Sequence, residues 1–246
     1  MFTIRKEQLE IFDKAAVGEF EAEMVKHLKE FNPKHSAALG DPGIRQVVRL
    51  GLKEARKYGF TDRGPVRLYL ECMFFFGSYF DRDPQLPWAT DILIDCQYSG
   101  QMSRANGLCS KTADYVRKVF GPEREYYLQA VRRMAQVSLE GSAAPAMNLE
   151  AVLMEKLKEL FPQKCQYLGE LTLRKLSQWG VQSAKPLALS SNSAVALLTV
   201  LGFMLGHGVI TDPQFPWISA IMKDSAAGIP DARVEQVYKQ TQDYLQ

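Results

Sequence analysis

Apolar residues recur at three- and four-residue spacing along most of the chain, in stretches separated by proline and glycine. Phe20, Met24, Leu28 and Phe31 form one such stripe. It predicts a helix over about Lys6 to Phe31 that stops at Pro33, because the residue before a proline is pushed out of helical geometry. Ile44, Val47, Val48, Gly51, Leu52 and Ala55 give the apolar face of a second helix over Gly43 to Tyr58. A third helix starts near Arg63-Gly64-Pro65, with proline favoured in a first turn. Its residues from Val66 to Phe76 are apolar nearly all round, so it is expected to be central and buried. Leu149, Leu153, Leu157 and Leu160 repeat the first stripe before Pro162, and Ala194 to Leu205 is more apolar still. Tyr126, Tyr127, Ala130, Val131 and Met134 mark one side of a helix over about Pro122 to Leu139, followed by a short break at Gly141 to Pro145. No alternation of apolar and polar residues lasts beyond a few positions, so the fold class is all-α.

The pattern also recurs on a larger scale. Asp83-Pro84-Gln85-Leu86-Pro87-Trp88 returns as Asp212-Pro213-Gln214-Phe215-Pro216-Trp217, 129 residues later. The same ungapped shift pairs Pro33 with Pro162, Leu39-Gly40 with Leu168-Gly169, Gly51 with Gly180, and Gly77 with Gly206. Beyond Asp95 the register breaks. It resumes with Ala113 to Phe120 against Asp231 to Tyr238 at a shift of 118, which leaves an insertion of 11 residues near Tyr98 to Leu108. The expectation is two tandem pseudo-repeats of about four helices each, residues 1–121 and 122–246, joined by the long helix and packed as one unit. In the recurring hexapeptide, Asp before Pro favours a turn, and Pro87 or Pro216 can open the next helix. Trp88 and Trp217 are then expected to plug a rigid corner, the alternative being a recognition loop that touches a partner.

Charge adds little to this picture. The net charge is +2, and each side of Glu123 carries +1, which gives no reason to expect a nucleic acid or an anionic membrane as partner. Charge enters at Arg5, so the start does not read as a signal peptide. The apolar stretch Ser193 to Ile210 reads as a buried helix, and Cys72, Cys96, Cys109 and Cys165 read as reduced thiols in a cytoplasm. The histidines His27, His35 and His207 have no second histidine at i+3 or i+4, and no nucleophile elbow or phosphate loop occurs. Asp81, Asp83, Asp91 and Asp95 read as capping or solvated carboxylates. Neither a metal, a cofactor nor an enzymatic activity is expected. One surface stands out as a possible docking site for an acidic partner: Arg45, Arg49 and Lys53 at i, i+4 and i+8, with Arg56 beyond them.

The stretch Arg63-Gly64-Pro65-Val66-Arg67-Leu68-Tyr69, with Phe76-Gly77-Ser78 and Asp81-Arg82-Asp83-Pro84-Gln85-Leu86-Pro87-Trp88, resembles a family. So does Ile4-Arg5-Lys6-Glu7-Gln8 with Met24-Val25-Lys26-His27-Leu28. The family consists of small bacterial accessory proteins encoded beside spike and effector genes of type VI secretion systems. The likeness covers about residues 1–95 directly. It implies a cytoplasmic adaptor or co-chaperone that binds an effector-loading chaperone, an effector or a PAAR-type spike protein, and it brings no catalytic residues with it. An immunity protein against a co-encoded toxin is the alternative expectation, and an enzyme with an unfamiliar site a more remote one.

Overall fold

The computed structural model describes residues 6–95, 100–136 and 149–245, with side chains of 6–15 and 227 left aside. The expected break at Gly141 to Pro145, the end of the linking helix and Cys96 lie outside the described residues. Eleven α-helices run through the described residues, and none of those residues is in a strand. They are α1 (Lys6–Phe31), α2 (Pro33–Lys57), α3 (Arg63–Phe76), α4 (Pro87–Ile94), α5 (Gly100–Tyr115), α6 (Glu125–Gln136), α7 (Leu149–Leu160), α8 (Pro162–Ala184), α9 (Asn192–Leu205), α10 (Pro216–Lys223) and α11 (Pro230–Leu245). No described helix is long and apolar enough to cross a membrane.

Five of these helices begin at a proline: Pro33, Pro87, Pro162, Pro216 and Pro230. A missing N–H is no loss there, since the first N–H groups of a helix have no partner within it. The second helix is longer than the apolar stripe predicts. It begins at Pro33 and kinks at Gly40 (φ 67°), and α8 kinks likewise at Gly169 (φ 75°). A shallow apolar stripe cannot report a turn of helix placed before a kink, which explains the difference. Gly100 to Leu108, at the expected insertion, belongs to α5. Its Asn106-Gly107 pair, a combination that often marks hairpin turns, is helical here.

Buried apolar side chains fall into two clusters, one built from residues 20–119 and the other from 130–238. Each has a central helix against which a longer one packs, α3 with α2 and α9 with α8. All residues from Ala194 to Phe203 are buried. The crossings are close because of glycine. A Cβ on Gly51 would overlap Leu70 and Met73 of α3, and one on Gly180 would overlap Thr199 of α9.

The C-terminal ends of α3 and α9 meet each other. Gly77 and Gly206 follow these helices with φ of 103° and 97°, a region that L side chains rarely adopt. A Cβ on Gly77 would stand 2.7 Å from the Leu205 carbonyl oxygen, and one on Gly206 would stand 2.9 Å from that of Phe76. Gly206→Ala is therefore expected to destabilise the fold by at least the roughly 1–3 kcal/mol of a strained φ, with backbone displacement in addition. Gly18→Ala, in α1 with open space around it, is expected to stabilise by up to about 1 kcal/mol through helix propensity. Urea unfolding of the two variants checks both signs.

Candidate functional site at the junction of the helix ends

The recurring turns sit where the two helix ends meet, and each reaches into the opposite half. The buried Asp212 carboxylate accepts from the Ser78 backbone N–H (2.8 Å), the Ser78 hydroxyl (2.6 Å) and the Gln214 N–H (2.9 Å). The buried Asp83 carboxylate accepts from the His207 N–H (2.8 Å) and the Gln85 N–H (2.8 Å), with His207 Nδ1 3.2 Å away. Each aspartate thus braces its own turn and holds the chain just beyond the other half's helix end. Desolvation raises the Asp212 pKa above the ordinary carboxylate value, opposed by the donors of Ser78 and Gln214.

The two glutamines complete the crossing. Gln214 Nε2 donates to the Met73 carbonyl (2.7 Å) and to Ser78 Oγ (3.1 Å), and Gln85 Nε2 donates to the Gly202 carbonyl (3.0 Å). These carbonyls belong to the last turns of α3 and α9 and already accept from the Gly77 and Gly206 N–H groups, so each glutamine adds a second donor. Met73 and Gly202 stand 129 residues apart, as do Gln85 and Gln214.

Around Gln214 the arrangement is closed. Its nitrogen is committed to two acceptors, so its oxygen faces His35 Nε2 at 3.1 Å, which must carry the proton. His35 Nδ1 then accepts from the Tyr244 hydroxyl at 2.5 Å. The imidazole packs edge-on against Phe74, with ring centroids 4.9 Å apart. Burial lowers the His35 pKa, partly offset by Gln214, which keeps the ring neutral.

Around Gln85 the arrangement is open. The residue 129 positions beyond His35 is Lys164. Its Nζ donates to the Phe203 carbonyl and lies 4.3 Å from the Phe203 ring centroid. Burial lowers its pKa to about 8, against the pull of Asp83. Gln85 Oε1 is buried and has no hydrogen-bond partner. Beside these groups a cavity of 1010 Å³ opens between the halves, lined by Lys164, Gln85 and rings that include Phe74, Phe76, Tyr115 and Phe203.

The break after α5 borders the cavity with Gly121, Arg124 and Tyr126, and His35 and Tyr244 border it too. α11 runs unbroken to Leu245 and delivers Tyr244 to His35. At the shift of 118, Tyr244 corresponds to Tyr126. There α5 passes into a wide π-turn (Val116–Phe120) and stops at Gly121 (φ 73°), with Glu123 and Arg124 also at positive φ (48° and 65°). Tyr126 consequently starts α6 and folds over Gly121.

No family model, curated protein or solved structure matches this chain.

The expected site residues are placed as follows. Pro87 and Pro216 open α4 and α10. Trp88 and Trp217 are half-buried, against Phe76 (5.8 Å between centroids) and Tyr244 (6.5 Å). Both tryptophans pack against the hydrophobic clusters, and Asp83, Asp212 and the two glutamines add the polar contacts of the corner, with Pro84 and Pro213 half-buried within the turns. Arg45 and Arg49 bind the buried Glu21 carboxylate of α1, at 3.3 and 2.9 Å, while Lys53 and Arg56 are exposed. The first two therefore fasten α2 to α1, and Arg49 lowers the Glu21 pKa. Among the described residues no group of three His, Cys, Asp or Glu could hold a metal. Burial pushes the Cys72 and Cys165 thiols up to about 12.

Two outcomes follow from this geometry. Asp212→Asn places an amide nitrogen against buried donors that need acceptors, and is expected to cost about 1–3 kcal/mol in urea unfolding. Combined with Asp83→Asn, the effects should couple rather than add, because both residues hold one junction. Lys164 is expected to titrate near 8 by NMR. Between its ordinary value and about 8 the unfolded chain binds a proton that the folded one does not. Lys164 therefore makes the fold gain stability as pH rises through that window, and Lys164→Met should remove this contribution from the slope.

Proposed function

We propose that the chain is a tandem duplication of one helical module and acts as an adaptor or co-chaperone in the bacterial cytoplasm. It binds an effector-loading chaperone, an effector or a PAAR-type spike protein of a type VI secretion system. Support for the duplication comes from the 129-residue register, in which Gly40 and Gly169, Gly77 and Gly206, and Gln85 and Gln214 share backbone angles or hydrogen-bonding roles. Support for the secretion context comes from the resemblance over residues 1–95.

The observation that carries a binding role is the aromatic cleft between the halves. A partner gains most from a concave surface that is already formed, since little ordering has to be repaid on association. The reciprocal aspartates and glutamines fix the walls of this cleft before anything enters it. Large exposed apolar residues, Ile94, Leu171 and Ile229, add contact surface elsewhere.

The test is capture from the native cell. The tagged chain is expected to retain a co-encoded chaperone, effector or spike protein through washing and to co-elute with it on size exclusion. Elution of the chain alone, with every co-encoded protein in the flow-through, overturns the adaptor reading.

A further inference from the structure

The cavity between the halves combines aromatic walls with positive charge that nothing in the chain neutralises. Phe74, Phe76, Tyr115, Tyr126, Phe203 and Tyr244 are among its walls. Lys34, Arg124 and Lys164 line it as well. None of these three cations forms an ion pair with a described residue. Two carboxylates share the lining, Asp83 and Glu123. Asp83 is buried and taken up by the N–H groups of His207 and Gln85, and Glu123 is exposed.

Lys164 is the cation set among the rings. Lys34 and Arg124 are exposed, whereas Lys164 is half-buried, with its Nζ 4.3 Å from the Phe203 ring centroid. An ammonium has three N–H donors. One goes to the Phe203 carbonyl, and no other described residue accepts from the remaining two. A desolvated charge without a counter-ion is costly, and burial accordingly brings the Lys164 pKa down to about 8, with Asp83 pulling the other way from beyond ion-pair distance. A carboxylate that enters the cavity supplies the missing partner through a charge-assisted hydrogen bond, which is strong where water is excluded.

The body of the occupant has to suit the rings. A hydrocarbon chain brings no polar group that needs a partner there. A peptide brings an N–H and a carbonyl with almost every residue, and burying these unpaired is costly. At 1010 Å³ the cavity stands at the top of the range of small-ligand sites, about 300–1,000 Å³, so that a chain can enter as well as its head group.

We infer that the cavity binds a long-chain monocarboxylate, whose head group accepts from Lys164 Nζ while its alkyl chain lies against the rings. The inference rests on the same cleft as the adaptor reading and names what fills its interior. Phe31 and Leu128, exposed residues of the same lining, remain for a protein partner.

The experiment is calorimetric titration of the full chain with hexanoate, octanoate and decanoate, and with decanol and decyltrimethylammonium. Affinity is expected to rise roughly fourfold for each CH₂ group added, the scale of its transfer out of water. Decanoate is expected to bind at least about tenfold more tightly than decanol, and the quaternary ammonium more weakly than either. Lys164→Met is expected to reduce decanoate to the affinity of decanol. In a wild-type crystal soaked with ω-bromoundecanoate, the bromine signal is expected inside the cavity and the carboxylate on Lys164, an arm that needs no variant to fold. Absence of decanoate binding, equal binding of decanoate and decanol, or bromine only outside the cavity overturns the proposal. So does tighter binding of the peptide N-acetyl-Phe-Leu-Phe than of decanoate, which assigns the cavity to the C-terminus of a partner protein. Failure of decanoate to bind while a partner is still captured strikes this inference alone; decanoate binding with no partner captured strikes the adaptor reading alone.

Discussion

Two helix C-termini that point at each other are an unfavourable arrangement, and the structure depends on how that is overcome. The ends of α3 and α9 carry partial negative charge, and Gly77 and Gly206 let them approach within van der Waals contact. Each end is then served by the opposite half. A glutamine amide donates to a carbonyl of the last turn, and an aspartate accepts the N–H of the residue past the glycine. Buried polar groups of this kind contribute little net stability when paired and cost much when one partner is lost. The junction is consequently all-or-nothing. It specifies a single placement of the halves more than it strengthens them, and a cleft with defined walls can exist between them only for that reason.

The two sides of this junction are built differently. The closed side ends in a neutral chain from Tyr244 through His35 to Gln214. The open side has a cation at a helix C-terminus, where a positive charge is favoured, but burial opposes that charge and brings its pKa down to about 8. A single backbone event separates the two outcomes. Positive φ at Gly121, Glu123 and Arg124 ends the helix that α5 begins, whereas α11 continues for about two more turns. The buried Gln85 Oε1 lacks the partner that His35 supplies to Gln214 Oε1, and an unpaired buried acceptor is costly. Such a cost at one junction and not at its counterpart is the kind of local inconsistency that functional sites show.

Much of the helical architecture was legible because it is local. The stripe from Phe20 to Phe31, the stop at Pro33 and the apolar run from Ala194 to Leu205 are matters of helix periodicity and proline geometry, and the observed helices follow them. Gly51 and Gly180, glycines inside apolar faces, announced close helix crossings for the same reason. The kinked extension of α2 before Gly43 was not legible, because Gly40 reads equally as a terminator and as a kink. The basic row on α2 was legible as a surface, but no periodicity could reveal that Glu21 of another helix pairs with both Arg45 and Arg49.

The site itself was half visible. The recurring Asp-Pro-Gln turn drew notice, but its prolines and tryptophan explain a corner without invoking any residue across the molecule. The glutamine was the missed clue. A long polar side chain kept in both turns has no local task there, and a polar group held without one has to find its partner elsewhere. Lys164 gave no such signal. Its counterpart is His35, so the pair looks like a mismatch rather than a recurrence, and a lone lysine on a helix reads as surface. Only the third dimension shows that Lys164 caps the Phe203 carbonyl while His35 bridges Gln214 and Tyr244, two different tasks for residues 129 positions apart.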